Sequence, residues 1–514
     1  MWDIIVVGAG SAGAALAARS AERGKRVLLL EAGPDYRSAQ MPEAWRSPNP
    51  VKALLDPGAA EHLVWMGVDS ARTEKQAQAP YWRGKGVGGS SSINGQIAIR
   101  PPMEDFDDWA AAGCAGWSAK DVLPYFARLE DDEEFGDEPY HGRGGPTPIF
   151  RMPQERWGGA DAALCAAALS AGHPWAPDVN APHASGVSPY PINSRAGRRV
   201  SVNDAYLEPA RSLGGLTIRG GALVDRVVFE GDRAVGVQVV VDGTAVTEYA
   251  DEVVLSAGVI HSPAILMRSG VGPADDLRRL GIAVRQDLPV GVGMQDHPMV
   301  VVELPLTREA AIKTADDRHT NVCVRYSSGV MPNDMMFVSL NQNVLAMGAA
   351  DTRFPAGGLG VWLNQSFSRG VLRLTSADPQ AQPEVRERML SDARDLERLR
   401  QGVRALVEMA RGPEVAPLVE GSIEARNSRL FAVLDDDAEL DDHLLATVVD
   451  AQHGTSTCRM GAPDDAEAVV DPECRVKGVD GLRVVDASIF PAVPRANTNL
   501  ASIMVGELMA DRLT

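Results

Sequence analysis

After Met1-Trp2-Asp3 the chain opens on four consecutive apolar residues, Ile4 to Val7, then a glycine-rich turn, Gly8-Ala9-Gly10-Ser11-Ala12-Gly13, and an alanine-rich stretch from Ala14 to Arg23 that Gly24 ends. A β-branched run followed by small helix-forming residues predicts a buried strand and then a helix. The next apolar run, Val27-Leu28-Leu29-Leu30, fits a second strand buried on both faces, and it ends on a carboxylate, Glu31. Together these segments form one βαβ unit of about 30 residues. Residues 35–83 are proline-rich without a period and predict a long irregular excursion. Residues 84–95 are so dense in glycine and serine that they must thread something closely, because a helical pattern resumes at Phe106–Ala112 and Ser118–Glu130.

Strand patterns return between about 215 and 256, in Leu216-Thr217-Ile218, Ala222 to Phe229, Ala234 to Val241 and Glu252 to Leu255. Further strands are expected at Val300–Leu304, Met335–Val338 and Gly360–Asn364, which suggests a second, sheet-based domain. A charged helix follows near Asp392–Ala410, then a short strand at Leu482–Ala487 and a closing helix at Ser502–Leu513.

The 514 residues suit two or three joined domains of roughly 150 residues each. With 50 Lys and Arg against 69 Asp and Glu the net charge is -19, which repels phosphate backbones and argues against nucleic acid as a partner. The five cysteines are scattered without a CxxC pair and read as reduced thiols. No basic leader segment precedes the first strand, and no apolar run reaches the roughly 18 residues of a membrane span, so a cytoplasmic location is expected. The consecutive acids Glu130-Asp131-Asp132-Glu133-Glu134 lack alternating ligand spacing; they predict a solvated helix end, and no metal is assigned.

Gly8-x-Gly10-x-x-Gly13, between a strand and a helix with Glu31 about 20 residues on, is a dinucleotide-binding fingerprint. The glycines let the backbone approach a pyrophosphate, the helix N-terminus stabilises its charge, and Glu31 is placed to accept from ribose hydroxyls. The fingerprint alone does not choose FAD over NAD.

Further motifs follow in order: Gly88-Gly89-Ser90-Ser91-Ser92-Ile93-Asn94-Gly95, Ser256-Ala257-Gly258-Val259-Ile260-His261-Ser262-Pro263, Gly270-Val271-Gly272-Pro273, Gln295-Asp296-His297-Pro298, His453-Gly454-Thr455-Ser456-Thr457-Cys458-Arg459-Met460-Gly461 and Val485-Asp486-Ala487-Ser488. With the N-terminal turn they make the chain resemble, over essentially its whole length, the glucose-methanol-choline (GMC) family of flavoprotein oxidoreductases. The resemblance implies an α/β fold: a Rossmann-like FAD-binding domain with a second, substrate domain built on an antiparallel sheet. It divides the chain into FAD-domain segments 1–150, 211–298 and 441–514 and substrate-domain segments 151–210 and 299–440. Beyond the fingerprint residues it assigns to FAD Ser11, Ala12, Ala32, Val87, Gly88, Ser92, Asn94, Gly95, Ile97, Val224, Asp486, Ala487, Asn497 and Thr498. Some members attach the flavin to a histidine just before the loop asparagine; here that residue is Ile93, so dissociable FAD is expected.

The resemblance also marks His453 as the catalytic base and Asn497 as its partner, with Asn499 as a rival two residues away. An imidazole with a pKa near 6.5 can take a hydroxyl proton while hydride leaves carbon, and an amide can donate to the developing alkoxide. By the same resemblance His261 and His297 are architectural, and Cys458 is read as packing. Ala451 and Gln452, small and polar, suggest a roomy, wet entrance; Trp362 offers one aromatic wall. Scarce aromatics disfavour choline. The expected reaction is oxidation of a primary aromatic or furan-type alcohol with oxygen as acceptor, resembling the hydroxymethylfurfural, pyridoxine and aryl-alcohol oxidase branch. Alternatives are a dehydrogenase passing electrons to a quinone or other carrier, a hydroxynitrile lyase, a flavin photodecarboxylase, or a flavin-binding protein without catalysis.

Overall fold

A computed structural model describes residues 1–54, 57–342 and 357–514. Its first layer is a seven-stranded sheet. Strand β1 (Trp2–Val7) leads through the glycine turn into helix α1 (Ser11–Glu22) and back to β2 (Val27–Leu30), which pairs parallel to β1. Later chain adds β3 (Leu216–Arg219) outside β2, then β4 (Ala222–Glu230), β5 (Arg233–Val241) and the long β6 (Thr244–Leu255). The first half of β6 pairs antiparallel to β5 and its second half parallel to β1, so one strand joins the hairpin to the βαβ unit. The strand Leu482–Val484 closes the far side of β6. Ile5, Val6 and Leu28 to Leu30 are wholly or almost wholly buried, as strands covered on both faces require.

The second layer is a six-stranded antiparallel sheet. In spatial order it runs Val449–Asp450, β7 (Pro298–Leu304), β10 (Gly357–Leu363), β9 (Met335–Leu340), β8 (Val322–Tyr326) and Gly186–Pro189. Alternation along these strands separates two surfaces. Val300, Val302, Met335, Phe337, Leu359 and Val361 pack on Leu164 of helix α2 (Gly159–Ser170) and on Leu399, Val403 and Leu406 of helix α3 (Ala393–Ala410). Met299, Met336, Val338 and Trp362 face the other way, toward Ile97, Ile99 and Tyr190. The register sets Trp362 directly opposite both Met299 and Met336.

The closing helix, α4 (Thr498–Leu513), begins one turn earlier than the sequence pattern suggests. Its first turn, Thr498-Asn499-Leu500-Ala501, mixes polar and apolar residues, which hides the helical period. Glu507, in its middle, is wholly buried and accepts from Arg19 of α1 at 2.9 Å, from Tyr206 Oη at 2.8 Å and from Arg128, fixing α4 against the first helix. The excursion at 35–83 is also more ordered than its composition implies: short helices cover Glu43–Arg46, Pro50–Leu54 and Pro57–Leu63, and residues 55–56 lie outside the described residues.

The acidic run is the clearest correction. The helix ends at Leu129, and Glu130–Asp132 is a strand paired with Thr147–Arg151, so alternate acids turn inward. Glu130 and Asp132 are fully buried. Asp132 accepts a bidentate pair from Arg151 at 2.9 and 3.0 Å, Glu130 accepts from Arg100, and His141 bridges Glu130 at 2.6 Å to Asp178 at 2.8 Å. The carboxylates at both ring nitrogens raise the His141 pKa against the opposing pull of burial. Periodicity in a run of like charges gave no sign of this, because the compensating cations lie far along the chain. Removing one member strands a buried charge, so Asp132→Ala should cost about 3–5 kcal/mol in urea unfolding. An unchanged midpoint would show that the cluster contributes nothing to stability.

Candidate active site

The two layers and the excursion enclose a cavity of about 810 Å³, within the roughly 300–1,000 Å³ usual for ligand and cofactor sites. Of the residues the sequence assigns to the cofactor, Gly8, Gly10, Ser11, Ala12, Glu31, Ala32, Asn94, Gly95, Ile97, Val224, Asp486, Ala487, Asn497 and Thr498 border it, as does His453. Gly13, Val87, Gly88 and Ser92 do not; they pack behind the wall.

The first turn is built for a charged ligand. Gly8, at φ +104°, lies so close to β6 that a methyl there would sit 2.4 Å from the Ser256 carbonyl oxygen. At Gly10 the neighbouring backbone is farther off, the nearest atom to such a methyl being Gly89 Cα at 4.0 Å. Gly10 is the N-cap of α1, no side chain caps it and no acid occupies the first turn, leaving the positive helix end toward the cavity. Glu31 is more constrained than expected: its carboxylate accepts from the backbone N–H groups of Ala9 at 3.0 Å, Gly33 at 2.9 Å and Gly86 at 2.9 Å. A carboxylate has about four acceptor positions. Glu31 therefore ties three loops together and retains capacity for about one ligand hydroxyl. Asp486 similarly accepts from Gly258 N–H at 2.9 Å and Ser262 Oγ at 2.6 Å, anchoring the helix Gly258–Arg268 at the cavity. The open Gly10 turn, the uncapped helix end and the Glu31 carboxylate fit the phosphate and ribose groups of FAD.

The histidine cluster lies on the same cavity. His297 Nε2 is 3.0 Å from the carbonyl oxygen of Pro494, which can only accept, so that nitrogen carries the proton. Burial pushes His297 down to about 4, and the neutral ring then offers an unprotonated Nδ1. That atom is 2.9 Å from His453 Nδ1, which must therefore be the donor, and the lone pair of His453 falls on Nε2. Asn497 Nδ2 donates to this Nε2 at 2.9 Å, while Asn497 Oδ1 is buried without a partner among the described residues. Burial, with the positive field of Arg83, holds the His453 pKa well below 6.5.

Asp296 supports the pair from below. Its Oδ1 accepts from the backbone N–H groups of His297 at 2.6 Å and His453 at 2.8 Å, and its Oδ2 from Tyr81 Oη at 2.6 Å. Burial and the nearby Asp450 charge push its pKa up to about 7. Asn499 is engaged elsewhere, accepting from Ser11 Oγ at 2.8 Å and donating to Asn193 at 3.2 Å, so only Asn497 reaches His453. Gln452 is not a free polar entrance: its Oε1 accepts from Trp82 N–H at 2.7 Å and its amide donates to Asp450 at 2.5 Å. Trp362 borders the cavity with its ring edge-on to His453, centroids 5.9 Å apart. Cys458 is fully buried. His261 borders the cavity, tilted by 31° against Trp65 with ring centroids 4.1 Å apart and bonded to Gln382 at 3.0 Å.

Two features escape sequence reasoning. The role of His297 as a proton-fixing partner depends on Pro494, almost two hundred residues away, although its motif was visible. His319 and Thr320, which border the cavity, belong to no motif at all.

A Rossmann-type βαβ unit opening on a cavity shared with an antiparallel substrate layer is the architecture of a two-domain flavoprotein oxidoreductase. Family models described as GMC oxidoreductase match residues 2–299 and 366–506, and the chain belongs to that family. It is 36% identical to 5-(hydroxymethyl)furfural oxidase of Methylovorus sp. (strain MP688), covering 100% of this chain and 98% of that one. It is 35% identical to the mitochondrial choline dehydrogenase of Homo sapiens, covering 99% and 89%. The crystal structure of pyridoxine 4-oxidase from Mesorbium loti superposes with a TM-score of 0.89 at 30% identity, covering 100% and 99%. The protein is thus an FAD-dependent oxidoreductase of alcohol oxidase or dehydrogenase type, acting on CH–OH donors.

Gly10 has room toward the protein, so if the first turn holds the FAD phosphates, Gly10→Val should fold yet purify nearly colourless. The ratio of flavin to protein absorbance, with circular dichroism as the folding control, tests this; full FAD occupancy would place the phosphates elsewhere.

Proposed function

We propose that the protein oxidises a primary alcohol on a small aromatic or furan-type ring to the aldehyde, with His453 as base, Asn497 as its partner and oxygen as the terminal acceptor. The observation that carries this reading is that His453, which borders the cavity, has an unprotonated Nε2 beside the Asn497 amide. An alcohol hydroxyl that replaces the Asn497 amide on that lone pair surrenders its proton as the carbon is oxidised, and the released Asn497 Nδ2 donates instead to the oxygen as negative charge develops there. FAD, when bound, supplies the two-electron oxidation by accepting hydride from the alcohol carbon. His297 and the Pro494 carbonyl hold the proton on His453 Nδ1 and so keep Nε2 unprotonated. The N-terminus of α4, at Thr498, directs its positive end to the same cavity and favours negative charge within it. FAD-binding roles for the residues named above, from Gly8 to Thr498, belong to the same proposal. Similarity to the furfural and pyridoxine oxidases supports the ring-alcohol choice.

His453→Ala should keep its yellow colour while alcohol reduces the flavin roughly 10²–10⁴-fold more slowly in anaerobic stopped flow; a near-native rate would remove His453 from the chemistry. Because burial lowers the His453 pKa, its base form persists as pH falls through 6.5, and kcat/KM should decline only well below that value. A limb near pH 7 would instead point to Asp296.

A further inference from the structure

On its substrate-layer side the cavity carries polar groups that nothing among the described residues satisfies. His319 is 8% exposed, borders the cavity, and has no partner for Nδ1 among the described residues. Its neighbour Thr320 is 5% exposed, also borders the cavity, and has an unpartnered Oγ1. Buried donors and acceptors left without partners destabilise the fold, so such a pair points to a ligand that completes it.

The charge behind this wall has a definite sign. Arg199 and Arg318 are buried and pair with no carboxylate among the described residues. Arg199 donates to the carbonyls of Trp45 and Ser91 at 3.1 Å and to Asn94 Oδ1 at 3.0 Å; Arg318 donates to the carbonyls of Pro48 at 2.5 Å and Gly95 at 3.0 Å. Arg199 Nη2 and Arg318 Nε remain unpartnered. Two acids partly offset them without touching either guanidinium: Asp204 accepts from Ser201 at 2.6 Å, and Asp161 from Asn321 at 2.7 Å, Asn341 at 2.6 Å and Ser339 at 2.5 Å, so at His319 the field of the two cations prevails. Burial and the Arg318 charge push Arg199 down to about 9, and burial pushes Arg318 to about 10, so both remain charged at neutral pH. His319, desolvated and facing both cations, is held neutral. It lies against the flavin-loop glycine, Gly95, where a methyl would stand 3.7 Å from its ring. The acids on the cavity wall are fixed away from this patch: Glu31 is held at the first turn by backbone N–H groups, Asp486 at the helix Gly258–Arg268, and Asp450 pairs with Arg72 at 2.5 Å.

Building on the alcohol-oxidase reading, we propose that the substrate is a ring alcohol bearing a carboxylate, whose second group is received by His319 and Thr320 in the field of Arg199 and Arg318. The neutral imidazole and the hydroxyl donate to the carboxylate, the two guanidinium charges offset its desolvation, and a quaternary ammonium at the same place meets the opposite field. This separates the pocket from a choline-type site despite the 35% identity to choline dehydrogenase.

Isosteric pairs test the idea on the holoenzyme. Anaerobic flavin reduction should give 4-(hydroxymethyl)benzoate a kcat/KM about 10-fold or more above 4-(hydroxymethyl)benzamide, expressed mainly in KM, with the 4-trimethylammonium benzyl alcohol below both. Flavin difference spectra should show non-oxidisable 4-methylbenzoate binding more tightly than 4-methylbenzamide by a similar factor. His319→Leu with Thr320→Val, and separately Arg318→Met, should bring the carboxylate-to-amide ratio to about 1. Equal or inverted ratios in the wild type overturn the proposal while leaving the alcohol-oxidase reading intact. So does an Arg318→Met protein whose flavin potential shifts without change in the ratio, because the charges then serve the cofactor. If no alcohol bleaches the flavin, the reading beneath fails, and the carboxylate assignment with it.

Discussion

One carbonyl oxygen decides what the centre of this protein can do. Pro494 can only accept a hydrogen bond, so His297 must present its proton there, His453 must present its own to His297, and the basic nitrogen of His453 is its Nε2. Nothing in this chain of consequences needs a charged group. Burial keeps both rings neutral, and the direction of each proton follows from an acceptor that cannot change role. Asp296 reinforces the arrangement through the main chain, gripping the N–H groups of both histidines so that their rings cannot separate.

The same economy holds at the nucleotide end. The single Glu31 carboxylate joins the first turn, the end of β2 and the glycine-serine loop, which explains why these three irregular segments keep one shape. The substrate layer contributes through alternation: every second residue of its strands packs on α2 and α3, and those between, Met299, Val338 and Trp362 among them, form a wall of the cavity. Rigidity on the helix side holds the cavity side in place, because moving a wall residue by one register would drive a core residue into the cavity.

Much of this was legible from sequence where chemistry and local order coincide. The βαβ unit showed in its apolar runs and glycine spacing, and the antiparallel layer in its alternating strands. His453 and Asn497 were marked by motif resemblance, and their contact at 2.9 Å distinguishes Asn497 from Asn499. What sequence could not carry were partnerships across long separations. Glu130 and Asp132 looked solvated because Arg100, Arg151 and Asp178 are not adjacent in the chain. Gln452 looked like an open polar entrance because its partners Trp82 and Arg83 come from the early excursion. His319 and Thr320 had no spacing to mark them; only the fold reveals that they border the cavity.

The cavity wall is assembled from both extremes of the polypeptide, with Gly10 and Ser11 at the start and Asp486, Asn497 and Thr498 at the close. On the ribosome, a nascent chain could complete its first strand and helix early and still possess no enclosed pocket. The enclosed pocket therefore exists only once residues 486–498 have joined the first turn, which makes closure of its wall a late event in synthesis.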